Sequence, residues 1–436
     1  MTLQLLAVLL MALMGMPLFA CLAALGLLGL WHEASPGSGG ITDVYGDLTG
    51  EKAVSLSTIP LFTLAGYLMA ASKTARRLVR VGSAVLGWIP GGLAALTLFV
   101  CAFFTTFTGA SGVTILAMGG IILPLLKEEK YPEGFSVGLV TAAGSLGLLF
   151  PPSLPVILYG LVLQQAAPPG STPPDIKQLF VAGLVPGTLI ITLVAAYAVV
   201  VGVRAKAPRH RFDPVVAGKA IWAAKWDLLL PVIVIATFGT GLTTILETAA
   251  IAAFYALLVE VVIFRNLHPL RDLPGVMGSA ATLVGAVLIL LATAFGLNEY
   301  LVLQQFPDQL LEWVQQHIHS QMGFLLALNG ILLVLGSVLE MYSAIVAIAP
   351  LVAPLGVAFG VDPVHLGVVF LANLELGFLL PPMGLNLFLS ATRFKKPLNA
   401  VYRDALPFLL IMSIGVLLVT YLPSLTTGIL GALHMR

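Results

Sequence analysis

The chain has 436 residues, of which 59% are hydrophobic and 9% are charged, and its mean hydropathy is +1.03. This composition excludes an ordinary soluble domain, in which roughly a quarter of the residues are charged. The formal net charge of +1 gives no indication of a nucleic-acid partner. Cys21 and Cys101 both lie in apolar runs, which predicts packing residues rather than a disulfide framework.

The chain begins with an apolar run at 3–31, which we interpret as a first membrane span because no basic region precedes it. Further apolar runs recur to the last span at 405–427. The sequence predicts five regions: a first span and periplasmic loop (1–52), a first repeat (53–166), connecting spans with a basic cytoplasmic loop (167–274), a second repeat (275–392) and a last span (393–436).

The two repeats are visible when the sequence is shifted against itself until Gly147 falls on Gly377. This repeat shift also aligns LFPPSLP at 149–155 with LLPPMGL at 379–385, without a gap. Proline breaks a helix because it lacks the backbone donor and its ring clashes with the preceding turn. Helix breaks at corresponding places in two apolar halves indicate the binding site of a secondary transporter.

The distribution of Lys and Arg predicts the topology. Eighteen of the 21 basic residues fall in a few clusters, which the positive-inside rule places in the cytoplasm. Segment 90–126 has such clusters on both sides, so it is predicted to enter the membrane and return as a re-entrant hairpin with its tip at 108–112. Segment 323–358 is flanked by stretches without Lys or Arg, so its hairpin, with its tip near 336–340, is predicted to enter from the opposite side.

The predicted fold is therefore an all-α polytopic membrane protein with an inverted-topology repeat, two re-entrant helical hairpins and two broken helices. The first repeat comprises span 53–72, hairpin 90–126 and broken helix 134–166. The second comprises span 276–298, hairpin 323–358 and broken helix 364–391. The basic loop 204–225 is predicted to be a solvated connector, and segments 32–51 and 299–322 are predicted to be periplasmic.

Unwound backbone in a membrane is tolerated where it is buried or lines a cavity, and its free carbonyl oxygens suit a cation such as Na⁺. Ser111 adds a hydroxyl at the first tip, and Glu340 places a carboxylate at the second, as a cation ligand or as a helix cap. Asn373 is predicted either to contact substrate or to join two helices.

Three other polar residues in apolar segments are assigned structural roles. Glu375 is interpreted as a structural residue near the second Pro-Pro pair, Glu247 as a helix cap and His365 as an interfacial residue. The sequence contains no metal-ligand cluster, nucleophile elbow or phosphate loop, so an enzyme is not predicted.

Two long stretches, 108–160, which begins TGASGVTILAMGG, and 329–388, which ends ELGFLLPPMGLNLF, resemble the large membrane subunit (DctM-like) of tripartite ATP-independent periplasmic (TRAP) transporters. A weaker match is FGTGLTTILETAA at 238–250. The resemblance implies an elevator-type fold similar to the ion transporter superfamily, in the bacterial inner membrane. It also implies import of an organic acid with Na⁺ as the coupling ion and no other cofactor.

The resemblance also implies partners and site residues. The partners are a small four-helix membrane subunit and a periplasmic substrate-binding protein. The first Na⁺ site would use Ser111, Gly109, Gly147, Phe150 and Pro152, and the second would use Gly336, Glu340, Gly377, Leu380 and Pro382. The substrate would contact Ser111, Gly112, Ser153, Asn373, Met383 and Asn386. A stand-alone divalent-anion/Na⁺ symporter and a passive channel or scaffold are the alternatives.

Overall fold

The computed structural model describes residues 7–8, 10–12, 14–33, 46, 56–89, 91–166, 173–208 and 212–435. Every regular element among these residues is a helix. The predicted periplasmic segment 32–51 lies almost wholly outside the described residues, as do the start of the first span, Arg209 and Arg211.

The α-helices are numbered here in chain order. Those of the first part are α1 (Leu18–Glu33), α2 (Thr58–Ala71), α3 (Thr74–Leu86), α4 (Gly92–Thr108), α5 (Ser111–Glu128), α6 (Glu133–Ala143), α7 (Leu154–Ala166), α8 (Ile176–Arg204), α9 (Pro214–Ala223), α10 (Lys225–Val234) and α11 (Ile245–Leu257). Those of the second part are α12 (Leu273–Leu303), α13 (Phe306–His317), α14 (Gln321–Val338), α15 (Met341–Ala358), α16 (Pro363–Gly377), α17 (Leu385–Phe394), α18 (Leu398–Tyr421) and α19 (Ser424–Ala432). Short π-helices extend α10 over Ile235–Gly239 and α11 over Leu258–Ile263.

Seven helices among the described residues are long and apolar enough to cross a membrane: α5, α8, α11 with its π extension, α12, α14, α15 and α18. The described part of the chain is thus all-helical, with many candidate spans. The helices pack in two groups. One is built around α1, α2, α11 and α12, and the other around α4 to α8 and α14 to α19.

The helix ends reproduce the internal repeat. After the repeat shift, Ser111 and Glu128 at the ends of α5 fall on Met341 and Ala358 at the ends of α15. Each half therefore has two helices around a short break, at Gly109–Ala110 and at Leu339–Glu340. A second break follows in each half, over 144–153 between α6 and α7 and over 378–384 between α16 and α17. The Pro151–Pro152 and Pro381–Pro382 peptide bonds, one in each of these second breaks, are cis.

The broken helices are interleaved between the halves. Helix α6 of the first half packs on α17 and α18 of the second, whereas α7 packs on α15 and α16. Side chains cross these contacts, as where the ring centroids of Tyr159 on α7 and Phe370 on α16 lie 5.3 Å apart. The two Pro-Pro breaks are thus held in one packed unit by residues from both repeats.

Three segments that were predicted to be connecting loops contain short helices, α3, α9 and α13, of which α3 and α13 are amphipathic. In α3 the residues Ala75, Leu78 and Val79 are buried, whereas Arg76 and Arg80 are exposed. Such a helix has a low mean hydropathy because its polar face cancels its apolar one, so hydropathy alone indicates a loop. The predicted solvated connector at 204–225 contains α9, in which Ala217 is buried whereas Val215, Val216 and Trp222 are exposed.

Candidate functional site

The first tip and the first Pro-Pro loop are joined by two threonine hydroxyls of α4. Thr105 donates to the carbonyl of Gly144 at 2.8 Å, and Thr106 donates to the carbonyl of Gly147 at 3.0 Å. The carbonyl of Gly147 also accepts the backbone N–H of Phe150 at 3.2 Å. The backbone of α4 approaches so closely that a Cβ at Gly147 would lie 2.0 Å from the carbonyl oxygen of Ala102. The glycine permits this crossing.

The corresponding crossing in the second half is made by two glycines. A Cβ at Gly336 on α14 would lie 3.2 Å from the Cα of Gly377, and one at Gly377 would lie 2.7 Å from the Cα of Gly336. The repeat shift places Thr106 on Gly336 and Gly147 on Gly377. The same close approach of a hairpin helix to a broken helix therefore occurs in both halves, with different residues.

The two tips differ in how the second helix begins. Gly109, the residue after α4, has the left-handed conformation with φ +64°, and Ala110, the residue before α5, makes no side-chain cap. Glu340 is the residue before α15, and its carboxylate accepts the backbone N–H of Tyr342 at 3.0 Å. Glu340 is therefore a helix cap in this structure, and one of its oxygens is engaged within its own helix.

The tips are linked to each other by Tyr342. Its buried hydroxyl donates to the carbonyl of Gly109 at 2.5 Å, which joins the first turn of α15 to the first tip. Leu154, the first residue of α7, lies beside the same glycine, because a Cβ at Gly109 would be 2.6 Å from Leu154 Cδ1. Residues from both hairpins and from the first broken helix thus meet at Gly109.

Several of the predicted substrate residues line the contacts around α17. Ser111 is buried, and a Cβ at Gly112 would lie 2.6 Å from Cδ1 of Leu389 on α17. Asn386, at the start of α17, is buried and donates to the carbonyl of Thr141 on α6 at 3.3 Å, while its Oδ1 has no hydrogen-bond partner among the described residues. These residues bring α5, α6 and α17 together.

The other predicted substrate residues, Ser153, Met383 and Asn373, differ from one another in their contacts and exposure. Ser153 donates to the carbonyl of Leu148 within its own loop, and Met383 is 55% exposed. Asn373 donates to Asn329 Oδ1 on α14 at 2.8 Å, so in this structure it joins two helices. Of its two predicted roles, the structure shows the helix–helix hydrogen bond.

Three other polar residues have different surroundings from one another in the structure. Glu247 forms a capping box with Thr244, as predicted. His365, predicted to be interfacial, is buried within the protein and contacts Thr426 Oγ1 at 2.8 Å and the carbonyl of Thr420 at 3.2 Å. Glu375 is buried, and its Oε2 has no hydrogen-bond partner among the described residues.

Sequence reasoning missed the hydroxyls that hold the two loops. Besides Thr105, Thr106 and Tyr342, Tyr402 on α18 donates to the carbonyl of Pro382 at 2.6 Å. No sequence signal identified Tyr402. The TT pair at 105–106 directly precedes the first tip, and that position could have drawn attention to it.

A cavity of about 220 Å³ adjoins the first loop and is lined by Thr106, Phe150, Pro151 and apolar residues of α4, α8 and α10. No group of three or more His, Cys, Asp or Glu side chains suited to a metal ion occurs in the part of the chain that the structure describes. The polar groups at the breaks are therefore mostly hydroxyls, amides and backbone carbonyls.

The family profile of the tripartite ATP-independent periplasmic transporter, DctM component, matches residues 5–425. The chain belongs to the DctM family. The C4-dicarboxylate TRAP transporter large permease protein DctM of Pseudomonas aeruginosa is 34% identical over 384 residues, covering 87% of each chain. The ectoine TRAP transporter large permease protein TeaC of Halomonas elongata is 28% identical over 421 residues, covering 95% of each chain.

This DctM-family protein is thus a TRAP transporter large permease, not an enzyme, and a multi-pass protein of the inner membrane. Among solved structures, its fold is similar to that of the Alcanivorax borkumensis YdaH transporter, whose structure was described as revealing an unusual topology. The TM-score is 0.64 at 16% identity, and the match covers 88% of this chain and 87% of that one. At this identity the similarity concerns the fold alone.

Proposed function

We propose that this large permease imports an organic acid by Na⁺-coupled secondary transport, with an elevator movement of the helix group that contains both Pro-Pro loops. Four non-helical stretches of backbone support the proposal, because each lies at a contact between helices. The contact of Thr106 with Gly147 joins α4 to the first Pro-Pro loop, and the contact of Gly336 with Gly377 joins α14 to the end of α16. The hydroxyl of Tyr342 joins the start of α15 to the first tip. Such breaks supply carbonyl oxygens for Na⁺ and N–H groups for a carboxylate.

The candidate sites remain those given by the sequence. The first Na⁺ site would be formed by Ser111 with the backbone around Gly109 and Gly147, and the second by Glu340 with the backbone around Gly377 and Pro382. A cation at Gly147 would compete with the hydroxyl of Thr106 for the carbonyl oxygen, because that oxygen already accepts two hydrogen bonds. The substrate class is an organic acid such as a dicarboxylate, and the ectoine relative shows that permeases of this family are named for more than one substrate.

The proposed partners are a small membrane subunit and a periplasmic substrate-binding protein, and these separate the proposal from a stand-alone symporter. Reconstituted with both partners, the permease should take up the solute that the binding protein retains. Without the binding protein, uptake should fall to background. Equal uptake with and without it would favour the stand-alone symporter, and uptake that ignores a collapsed Na⁺ gradient would favour a passive channel.

Ser111→Ala is predicted to raise the Na⁺ concentration needed for half-maximal uptake by about tenfold to a hundredfold, because it removes one oxygen from the first tip. The measurement is initial uptake rate against Na⁺ concentration in proteoliposomes, at constant ionic strength. Ser279→Ala is a suitable control, since Ser279 is exposed on α12 and bonds only its own helix at Gly275. An unchanged Na⁺ dependence in Ser111→Ala would remove Ser111 from the proposed site.

The inverted topology is predicted to place the α5 end and the α14 start on opposite sides of the membrane. Cysteines at Glu128 and His319, both exposed, should be labelled by an impermeant maleimide from the cytoplasm and the periplasm respectively. His319 is preferred to Gly360, because Gly360 has φ +74°, where a side chain would be strained. Labelling of both positions from one side would contradict the inverted repeat.

A further inference from the structure

Tyr342 contacts both hairpin tips through different parts of one residue. Its backbone N–H donates to the carboxylate of Glu340 at 3.0 Å, and its hydroxyl donates to the carbonyl of Gly109 at 2.5 Å. Glu340 belongs to the proposed second cation site and Gly109 to the first. Within the part of the chain that the structure describes, no other hydrogen bond joins the two tips.

The surroundings of Tyr342 restrict its movement. The residue is 4% exposed, and it lines a narrow gap between the two helix groups together with Ile59 and Thr63 of α2, Leu154 of α7 and Val287 of α12. A close-packed ring cannot rotate freely, so a shift of the first turn of α15 must move the hydroxyl. A displacement at Glu340 is therefore transmitted to the carbonyl of Gly109 through a rigid side chain.

We propose that Tyr342 couples the two tip sites, so that a cation bound at one tip positions the backbone of the other. The proposal rests on the proposed Na⁺ sites. Tyr342 acts as a positioning residue: a cation drawn to Glu340 fixes the start of α15, and the hydroxyl then holds the carbonyl of Gly109 in a defined orientation. By linkage, a cation at the first tip has the same effect on the second, which makes Na⁺ binding cooperative.

The test uses Na⁺ itself as the probe and needs no substrate. The purified permease is titrated with NaCl against choline chloride at constant ionic strength, and its apparent Tm is followed. The wild type should show a sigmoidal rise with a Hill coefficient above 1. Tyr342→Phe retains the ring but loses the hydroxyl, so its Hill coefficient should fall to about 1 and its half-saturating concentration should rise by about threefold to tenfold.

Tyr159→Phe is the matched control. Tyr159 is also buried, but its hydroxyl has no hydrogen-bond partner among the described residues, so its loss should leave the Hill coefficient unchanged. A merely structural role for Tyr342 would lower the Tm without Na⁺ and leave the Hill coefficient at the wild-type value. An unchanged Hill coefficient in Tyr342→Phe, or a wild type with a Hill coefficient of about 1, would overturn the proposed coupling but not the proposed Na⁺ sites.

Two further outcomes keep the inference separate from the proposed function. A folded wild type that responds identically to Na⁺ and choline would overturn the Na⁺ sites, and the coupling with them. If Tyr342→Phe does not fold, the cycle of Ser111→Ala and Glu340→Gln replaces it, with Tyr342 intact. Non-additive effects of these two variants on the Na⁺ midpoint would support the coupling, and strictly additive effects would overturn it.

Discussion

Gly147→Ala is expected to reduce Na⁺-driven uptake by about tenfold or more and to lower the apparent Tm by several degrees, because its new Cβ has no space. The added carbon would lie 2.0 Å from the carbonyl oxygen of Ala102 and 2.7 Å from the backbone nitrogen of Thr106. Both are backbone atoms of a helix, so neither can move aside alone. Overpacking of a well-packed core typically costs about 1–3 kcal/mol.

The fall in uptake should be larger than the lowered Tm alone would explain. When α4 moves away from the loop, the hydroxyl of Thr106 no longer reaches the carbonyl of Gly147, and the backbone of the first loop is released. Uptake in proteoliposomes and the apparent Tm of the purified protein measure the two effects. Gly285→Ala on α12 is the control, because no atom lies within 4 Å of a Cβ at that position. Wild-type uptake by Gly147→Ala would show that the close crossing is not needed for transport.

Arg77→Ala is expected to destabilise the permease by about 3–5 kcal/mol, because it leaves two buried carboxylates without their cation. Arg77 Nε lies 2.5 Å from Asp227 Oδ2 and its Nη2 lies 2.8 Å from Glu260 Oε1, and the side chains of both acids are 1% exposed. Thr74 and Asn266 complete the hydrogen bonds of the acids at 2.7–2.9 Å. The cluster joins α3 to α10 and to the end of α11.

The contacts within this cluster keep Arg77 in its charged form. Burial disfavours the charged form of Arg77, but the hydrogen bonds and charges of Asp227 and Glu260 outweigh burial and raise the pKa of Arg77 above its ordinary value. The guanidinium also lies 3.8 Å from the ring centroid of Phe264. Removal of the cation should therefore force at least one of the acids to take up a proton or to leave its buried position.

Arg76→Ala provides the matched control, because Arg76 is the exposed neighbour on the same helix. Removal of an exposed charge typically changes the free energy of unfolding by about 0–1 kcal/mol, so the Tm of the control should be close to that of the wild type. The measurement is the apparent Tm of both variants in the same detergent. Equal values would contradict the structural importance of the buried cluster.

Much of the fold could be predicted from the sequence because its signals are local. Apolar runs gave most of the spans, and the Pro-Pro pairs marked the second break of each half. The repeat shift already matched the halves, and the ends of α5 and α15 coincide after that shift. The amphipathic helices α3 and α13 were missed because their mean hydropathy resembles that of a loop.

The candidate site could be predicted less completely. Ser111 and Glu340 were found because a polar residue in an apolar segment is conspicuous. The hydroxyls of Thr106 and Tyr402 were missed, because each binds a carbonyl in a non-helical break, 41 and 20 residues away along the chain respectively. The burial of His365 could not be predicted, since it depends on α18 and α19, which follow it by more than thirty residues.

The sequence by itself determined that this protein is an all-helical membrane permease with two related halves, because hydropathy, basic residues and prolines act on the chain locally. Only the tertiary structure decided which groups meet at the breaks. Tyr342 and Gly109 are separated by 233 residues, and Arg77 and Glu260 by 183. Contacts between residues so far apart in the sequence arise from the packing of whole helices. Rotating one helix by a single residue would change all of its side-chain partners.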